Sequence, residues 1–352
     1  MKLLHCLGLL AGIILSGACS SPAKLLLDGA TPGVDGQIID AAPTDSVPID
    51  GGACPVAPTA QALAPVANFG ANPGNLALQI YVPTNHGAHP PLVLALHGCS
   101  QTAAAYAKTG WNRLADYNGF IVAYPQTTAN NGCFNWFAAN EQTRAGNEVT
   151  SIVNMVQALV QAHGVDATRV YVTGLSAGGA STAVLLATHP DVFAAGTAIA
   201  GVPFRCAGTV TEGLSCMSSP PNKTAAQWGD LVRAAAGNNL SRVPRLSIWH
   251  GSNDNTVNNA NALALVAQFT NVNGIDATAD KTTTVSAATH REYRNAAGVT
   301  LVDYWSVAGM NHGTPVDPTR NCGTAGPFVL DVGLCSSRYA AEFFGLAACA
   351  TP

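Results

Sequence analysis

Arg169-Val-Tyr-Val-Thr-Gly-Leu-Ser-Ala-Gly178 is the stretch whose reading decides the fold. Its first five residues, Arg169 to Thr173, read as a strand, and the last four of them are β-branched or aromatic, as a buried strand favours. Gly174-Leu175-Ser176-Ala177-Gly178 follows and matches G-x-S-x-G. A helix from Ala177 to about Ala187 comes next. Strand, sharp turn and helix in that order are the context the pentapeptide needs to present its serine. The flanking glycines are required because a Cβ there would clash with neighbouring backbone.

Working outward, Leu76 to Val82 alternates like a half-buried strand. Pro91 to His97 is a continuous apolar run suited to a strand buried on both faces, and Phe120 to Tyr124 is another. Thr102 to Asn118 reads as a single helix between them. Val149, Ile152, Val153, Val156, Leu159 and Val160 line one helix face, ended by Gly164. Downstream, Phe193 to Ile199, Arg245 to Trp249 and Leu301 to Val307 read as strands. Helices are predicted near 224–236, 257–271 and 336–345. Alternating strands and helices imply an α/β domain with a mostly parallel sheet and helices on both faces.

A serine hydroxyl needs a base, and the base needs an acid to orient it. On this architecture the chain order is Ser, acid, His. His312 lies in the Gly309-Met-Asn-His-Gly313 loop after the last of these strands, where a base belongs. His189 sits at a helix end and His290 opens a polar strand, so both read as structural. His250 ends a strand and supports the loop His250-Gly-Ser-Asn-Asp254, whose Asp254 is the candidate acid. Asp303 lies inside a strand and Asp317 follows the histidine. An oxyanion also requires N–H donors. Ala177, next to the nucleophile, supplies one, and the His97-Gly98-Cys99-Ser100-Gln101 loop is placed to supply the other.

Composition narrows the alternatives. The 352 residues are 48 % hydrophobic and only 10 % charged, against about 25 % charged in typical domains. That excludes a disordered or coiled-coil chain. The net charge of −4 gives no nucleic-acid footprint. Neither H-E-x-x-H nor a clustered ligand set appears, so a metal site is not expected.

Residues 1–18 read as an export signal: Lys2, then an apolar run from Leu3 to Leu15 too short to span a membrane. Ser16-Gly-Ala18 before Cys19 resembles a bacterial lipobox, with Ser16 where leucine is usual. Lipid on Cys19 would tether the chain, and this is the only membrane association expected. Residues 19–53 form an acidic linker in which Asp28, Asp35, Asp40, Asp45 and Asp50 face one base, Lys24. It reads as a disordered, self-repelling spacer, not a calcium site. The catalytic domain is then 54–352. Its eight cysteines favour disulfides in an exported chain. Proximity suggests Cys206–Cys216 and Cys322–Cys335, leaving Cys99–Cys133 and Cys54–Cys349.

Together, Leu92–Gln101, Cys133-Phe-Asn-Trp-Phe137, Val170–Ala180, Trp249–Val257 and Gly309–Pro315 resemble the polyhydroxybutyrate depolymerase family of esterases, related to feruloyl and acetylxylan esterases. The resemblance spans roughly residues 65–345. It implies an α/β-hydrolase fold, a Ser176–Asp254–His312 triad, a Cys99/Ala177 oxyanion hole and no cofactor. It is also what selects Cys99 within its loop. The implied partner is an ester substrate, a hydroxyalkanoate oligomer or a plant cell-wall ester. Many polymer-degrading members carry a further substrate-binding domain after the catalytic one. The chain stops at Pro352, which favours soluble oligomers or small esters. A non-catalytic binding protein of the same fold is the remaining alternative. Trp136, in a Gly/Asn/Cys loop, is a candidate substrate contact or a core residue, whereas Trp111 and Trp305 read as core.

Overall fold

The computed structural model describes residues 61–240 and 242–346. The candidate signal, Cys19, the acidic linker, Cys54 and Cys349 lie outside these residues. The early strands are β1 (Ala64–Pro65), β2 (Ala77–Tyr81), β3 (Leu92–Leu96), β4 (Ile121–Gln126), β5 (Val170–Leu175) and β6 (Ala195–Ile199). The later ones are β7 (Arg245–Gly251), β8 (Lys281–Val285), β9 (Ala288–Arg294), β10 (Thr300–Val307), β11 (Thr314–Val316) and β12 (Val329–Asp331). The helices are α1 (Ala103–Tyr106), α2 (Trp111–Asn118), α3 (Asn147–His163) and α4 (Ala177–Thr188). They continue with α5 (Val210–Ser218), α6 (Ala225–Ala236), α7 (Ala260–Val272) and α8 (Ser336–Phe344).

Ten strands form one sheet in the order β1-β2-β4-β3-β5-β6-β7-β10-β9-β8. The run from β4 to β10 is parallel, and the strands added at either edge are antiparallel. The sheet is therefore mostly parallel, as the alternating pattern implies. Apolar runs explain the parallel core. On β3, Leu92, Leu94 and Leu96 pack on the side of α3, α4, α6 and α7. Val93 and Ala95 pack on the opposite side with α1, α2 and α8. A strand covered on both faces has no position for a polar residue, hence its unbroken hydrophobicity.

The structure departs from the sequence reading at a helix and at a strand. The helix predicted over 102–118 is broken into α1 and α2, because Gly110 sits at φ 95°. A Cβ there would lie 3.0 Å from the Ser337 hydroxyl and 3.1 Å from the Gly323 amide nitrogen. Only glycine takes both the left-handed turn and the close approach. His290 does not open its strand but is the third residue of β9, the middle strand of the antiparallel edge. The disulfides Cys206–Cys216 and Cys322–Cys335 form as proximity suggests, and Cys99–Cys133 forms as one of the two pairs left over.

Candidate active site

The turn between β5 and α4 holds Ser176 at φ 57° and ψ −114°. A non-glycine residue rarely adopts positive φ, so surrounding contacts must hold it there. One is its own amide, which donates to the Ile199 carbonyl at the end of β6, 2.8 Å away. The glycines explain why the turn can close. A Cβ on Gly174 would lie 2.4 Å from the Gly178 carbonyl carbon, and one on Gly178 would lie 2.3 Å from the Leu96 oxygen. Helix α4 is thereby pressed against the end of β3. The Ser176 side chain does not cap α4, which leaves the hydroxyl outside the helix's own hydrogen bonding.

Asp254 occupies the turn after β7. Its Oδ1 accepts from the Thr256 and Val257 amides, each at 2.9 Å. Its Oδ2 accepts from His312 Nδ1 at 2.7 Å. His250 Nε2 donates to the Val257 carbonyl at 2.8 Å and stands 3.4 Å from Asp254 Oδ2. Burial alone would raise the Asp254 carboxyl, but the hydrogen bonds from His250, His312 and Val257 outweigh it and hold it well below its usual range. An ionised carboxylate only accepts, so His312 carries its proton on Nδ1, leaving Nε2 to take another.

The loops bearing Asp254 and His312 are zipped together. Ser252 N donates to Val307 O at 2.9 Å and Asn253 N to Met310 O at 3.0 Å. Gly251 is glycine because a Cβ would stand 2.2 Å from the Met310 oxygen. Ala200 N also donates to Trp249 O. A ladder of backbone bonds therefore steps along the C-terminal edge from the Ser176 turn, past β6 and β7, to the His312 loop. On the far side of His312, β11 pairs with β12 in register Thr314–Val329. This pairing sets Phe328 beside His312, ring centroids 6.1 Å apart. Phe328 itself is at φ 59°, an outlier for a bulky residue that the Thr314 N–Phe328 O bond of 2.9 Å helps to fix.

The His97–Gln101 loop is equally constrained. His97 is fully buried, and burial pushes its ring below the usual histidine range. Its Nε2 accepts from the Thr127 amide at 3.3 Å, so the proton sits on Nδ1, which donates to the Gly98 carbonyl at 2.8 Å. That carbonyl also accepts from Gln101 N at 3.2 Å. In a trans peptide the N–H points opposite to the C=O. Pinning the Gly98 oxygen therefore aims the Cys99 N–H the other way. A Cβ on Gly98 would lie 3.4 Å from Leu175, so this loop abuts the serine turn. Ala177 is the first residue of α4, and its N–H has no acceptor within the helix.

The remaining residues named from sequence fall elsewhere. Trp136 is 8 % exposed and packs among core residues beside Phe137. With Glu148, Ser181 and Leu185 it lines a cavity between α3 and α4. Phe328, not anticipated, is the aromatic beside His312. His189 is buried against Thr188. His290 is bonded to Asp303 at 3.0 Å and stacked on Trp305. Asp317 caps a short turn through the Arg320 amide. Trp111 and Trp305 are buried.

Comparison with known proteins gives a consistent picture. The family model described as esterase PHB depolymerase matches residues 76–293, more than half of the chain. The chain is similar to poly(3-hydroxyalkanoate) depolymerase C of Paucimonas lemoignei, 49 % identical over 291 residues, covering 81 % of this chain and 70 % of the relative. It is similar to feruloyl esterase B of Talaromyces stipitatus, 36 % identical, covering 73 % and 74 %. Among solved structures, acetyl xylan esterase from Aspergillus awamori superposes with a TM-score of 0.70 at 28 % identity, covering 82 % of this chain and 100 % of that one.

Proposed function

The chain belongs to the PHB depolymerase esterase family, and on that premise we propose that it hydrolyses carboxylic esters through Ser176, His312 and Asp254. The observation that carries this reading is the 2.7 Å Asp254–His312 bond, at the same sheet edge as the strained Ser176 turn. Ser176 Oγ attacks the ester carbonyl while His312 Nε2 takes its proton. The carbonyl oxygen becomes an oxyanion that accepts from the Cys99 and Ala177 N–H groups. Collapse breaks the ester C–O bond, and His312 returns the proton to the leaving alcohol. Water then attacks the acyl-enzyme with His312 again as base, releasing the acid and restoring Ser176. Asp254 keeps the proton on Nδ1 throughout and stabilises the imidazolium. None of these steps needs a metal or cofactor.

The similarity to the Paucimonas lemoignei depolymerase supports a hydroxyalkanoate-type ester as substrate. The likeness to acetyl xylan and feruloyl esterases supports a second reading, a plant cell-wall ester. Three disulfides suit an extracytoplasmic protein. We place in this proposal the export signal over 1–18, lipid on Cys19, the linker 19–53 and the catalytic domain 54–352. The test is a panel of hydroxybutyrate oligomers, methyl ferulate and acetylated xylan, assayed with wild type and Ser176→Ala. Fastest turnover of the oligomers, abolished in the variant, supports the first reading. Preference for ferulate or xylan replaces it with the second. Wild-type turnover by Ser176→Ala removes the nucleophile.

A further inference from the structure

Glu148, the second residue of α3, is 5 % exposed, and no step above uses it. Both of its oxygens are occupied by one residue. Oε2 accepts from the Asn135 backbone amide at 2.7 Å, and Oε1 accepts from the Asn135 side-chain nitrogen at 2.9 Å. Its own backbone is wedged in place. The Glu148 amide donates to Glu141 Oε2 at 2.8 Å, and Gly74 approaches so closely that a Cβ there would lie 2.7 Å from Glu148 Cα.

Asn135 belongs to the segment 129–137, which meets the Cys99 loop in three ways. The Cys99–Cys133 disulfide joins them covalently. Ser100 N donates to Asn131 O at 3.0 Å. Phe134 lies against His97, the residue that pins the Gly98 carbonyl, with ring centroids 4.9 Å apart. Within the segment, Asn130, Asn131 and Gly132 are consecutive positive-φ residues. Such a turn is costly for the two asparagines and persists only if something holds it. Asn135 Oδ1 does so by accepting from Asn130 Nδ2.

We propose that Glu148, acting through Asn135, is the positioning residue of the oxyanion hole. Its carboxylate anchors the 129–137 segment to α3, and that segment holds the Cys99 N–H where the oxyanion forms. This rests on the esterase reading. Glu148 touches no substrate, so its loss weakens the transition state and leaves ground-state binding intact.

The test compares wild type, Glu148→Gln and Asn135→Ala on p-nitrophenyl butyrate, together with two inhibitors. One is an alkyl trifluoromethyl ketone, which forms a tetrahedral oxyanion on the serine. The other is the matching alcohol, which cannot. Loss of a whole oxyanion donor costs about 10²–10³ in kcat. For a donor that is misaligned and not lost, Glu148→Gln should lower kcat about tenfold, by a general scale of that kind. Ketone Ki should rise by the same factor, with KM and alcohol Ki unchanged. Asn135→Ala, which keeps the backbone bond to Oε2 and so serves if the first variant folds poorly, should show the same split at about threefold. Unchanged kcat and ketone Ki in a folded variant overturn the inference, as does a loss carried wholly by KM. Failure of the ketone to inhibit wild type instead sinks the esterase reading itself.

Discussion

Two buried carboxylates, Asp254 and Glu148, are each gripped by backbone amides, and they differ in what else faces them. Asp254 has the imidazoles of His312 and His250 beside it, and its proton is held off far into acid. Glu148 is pushed up to about 7 by burial, with hydrogen bonds from Asn135 opposing and the Glu141 charge adding to the rise. Burial desolvates both acids. Only the one beside groups able to share a positive charge overcomes it. The same side-chain chemistry thus becomes an electrostatic partner in one region and an anchor in the other.

Replacing each acid by its amide is the sharpest way to separate them. Asp254→Asn should lower kcat by about 10³–10⁴, because a neutral amide no longer fixes the imidazole tautomer. Glu148→Gln should cost only about tenfold, since it acts one step removed from the oxyanion. Equal losses would break the contrast.

Gly251→Ala tests whether the Asp254 region depends on its close approach to the His312 loop. The added Cβ must displace the Met310 carbonyl, so a stability loss of about 3 kcal/mol is expected in urea melts. An unperturbed melt with normal activity would deny that the two loops are locked.

Stability against pH reads the two acids with opposite sign. Between the ordinary glutamate range and about pH 7, folded Glu148 binds more protons than unfolded Glu148. Its contribution is therefore present below that range and lost as pH rises through 7. Glu148→Gln removes this loss, so its stability relative to wild type should improve from pH 5 to 8 by on the order of 2 kcal/mol. Asp254, depressed in the fold, contributes above the ordinary aspartate range, and that contribution is lost as pH falls below it. Asp254→Asn should accordingly flatten the acid limb of the stability curve. A parallel pH dependence in wild type and Glu148→Gln would contradict the assignment.

A modest effect is expected at His250, which braces the Asp254 loop. His250→Gln should lower kcat no more than about tenfold, whereas a loss as large as that of Asp254→Asn would make His250 part of the proton path.

The parallel core and the Ser176 turn were legible in the sequence because each is written locally. Apolar runs mark strands covered on both faces, and Gly174 and Gly178 mark a turn with no room for a Cβ. The Asp254–His312 pairing was legible because each residue follows a strand end in a short polar loop. The break at Gly110 was not, since the reason for it is a contact with Gly323 and Ser337 far along the chain. The edge strand β8 is Thr-rich and largely exposed, so it carries weak alternation. Glu148 sits on an ordinary helix and Asn135 in an ordinary loop; only folding brings them together. Asn130-Asn-Gly132 has the composition of a turn, which does not say what it rests against. Phe328 gains its place from the β11–β12 pairing, which three-residue strands do not advertise.

The most direct measurement of the central claim is the mass of the protein and its peptides after treatment with a fluorophosphonate. A single adduct on the peptide bearing Ser176, formed by wild type and slowed at least about a hundredfold in His312→Ala by loss of the base, is the predicted result. No adduct, or one on another serine that forms as fast without His312, would contradict it.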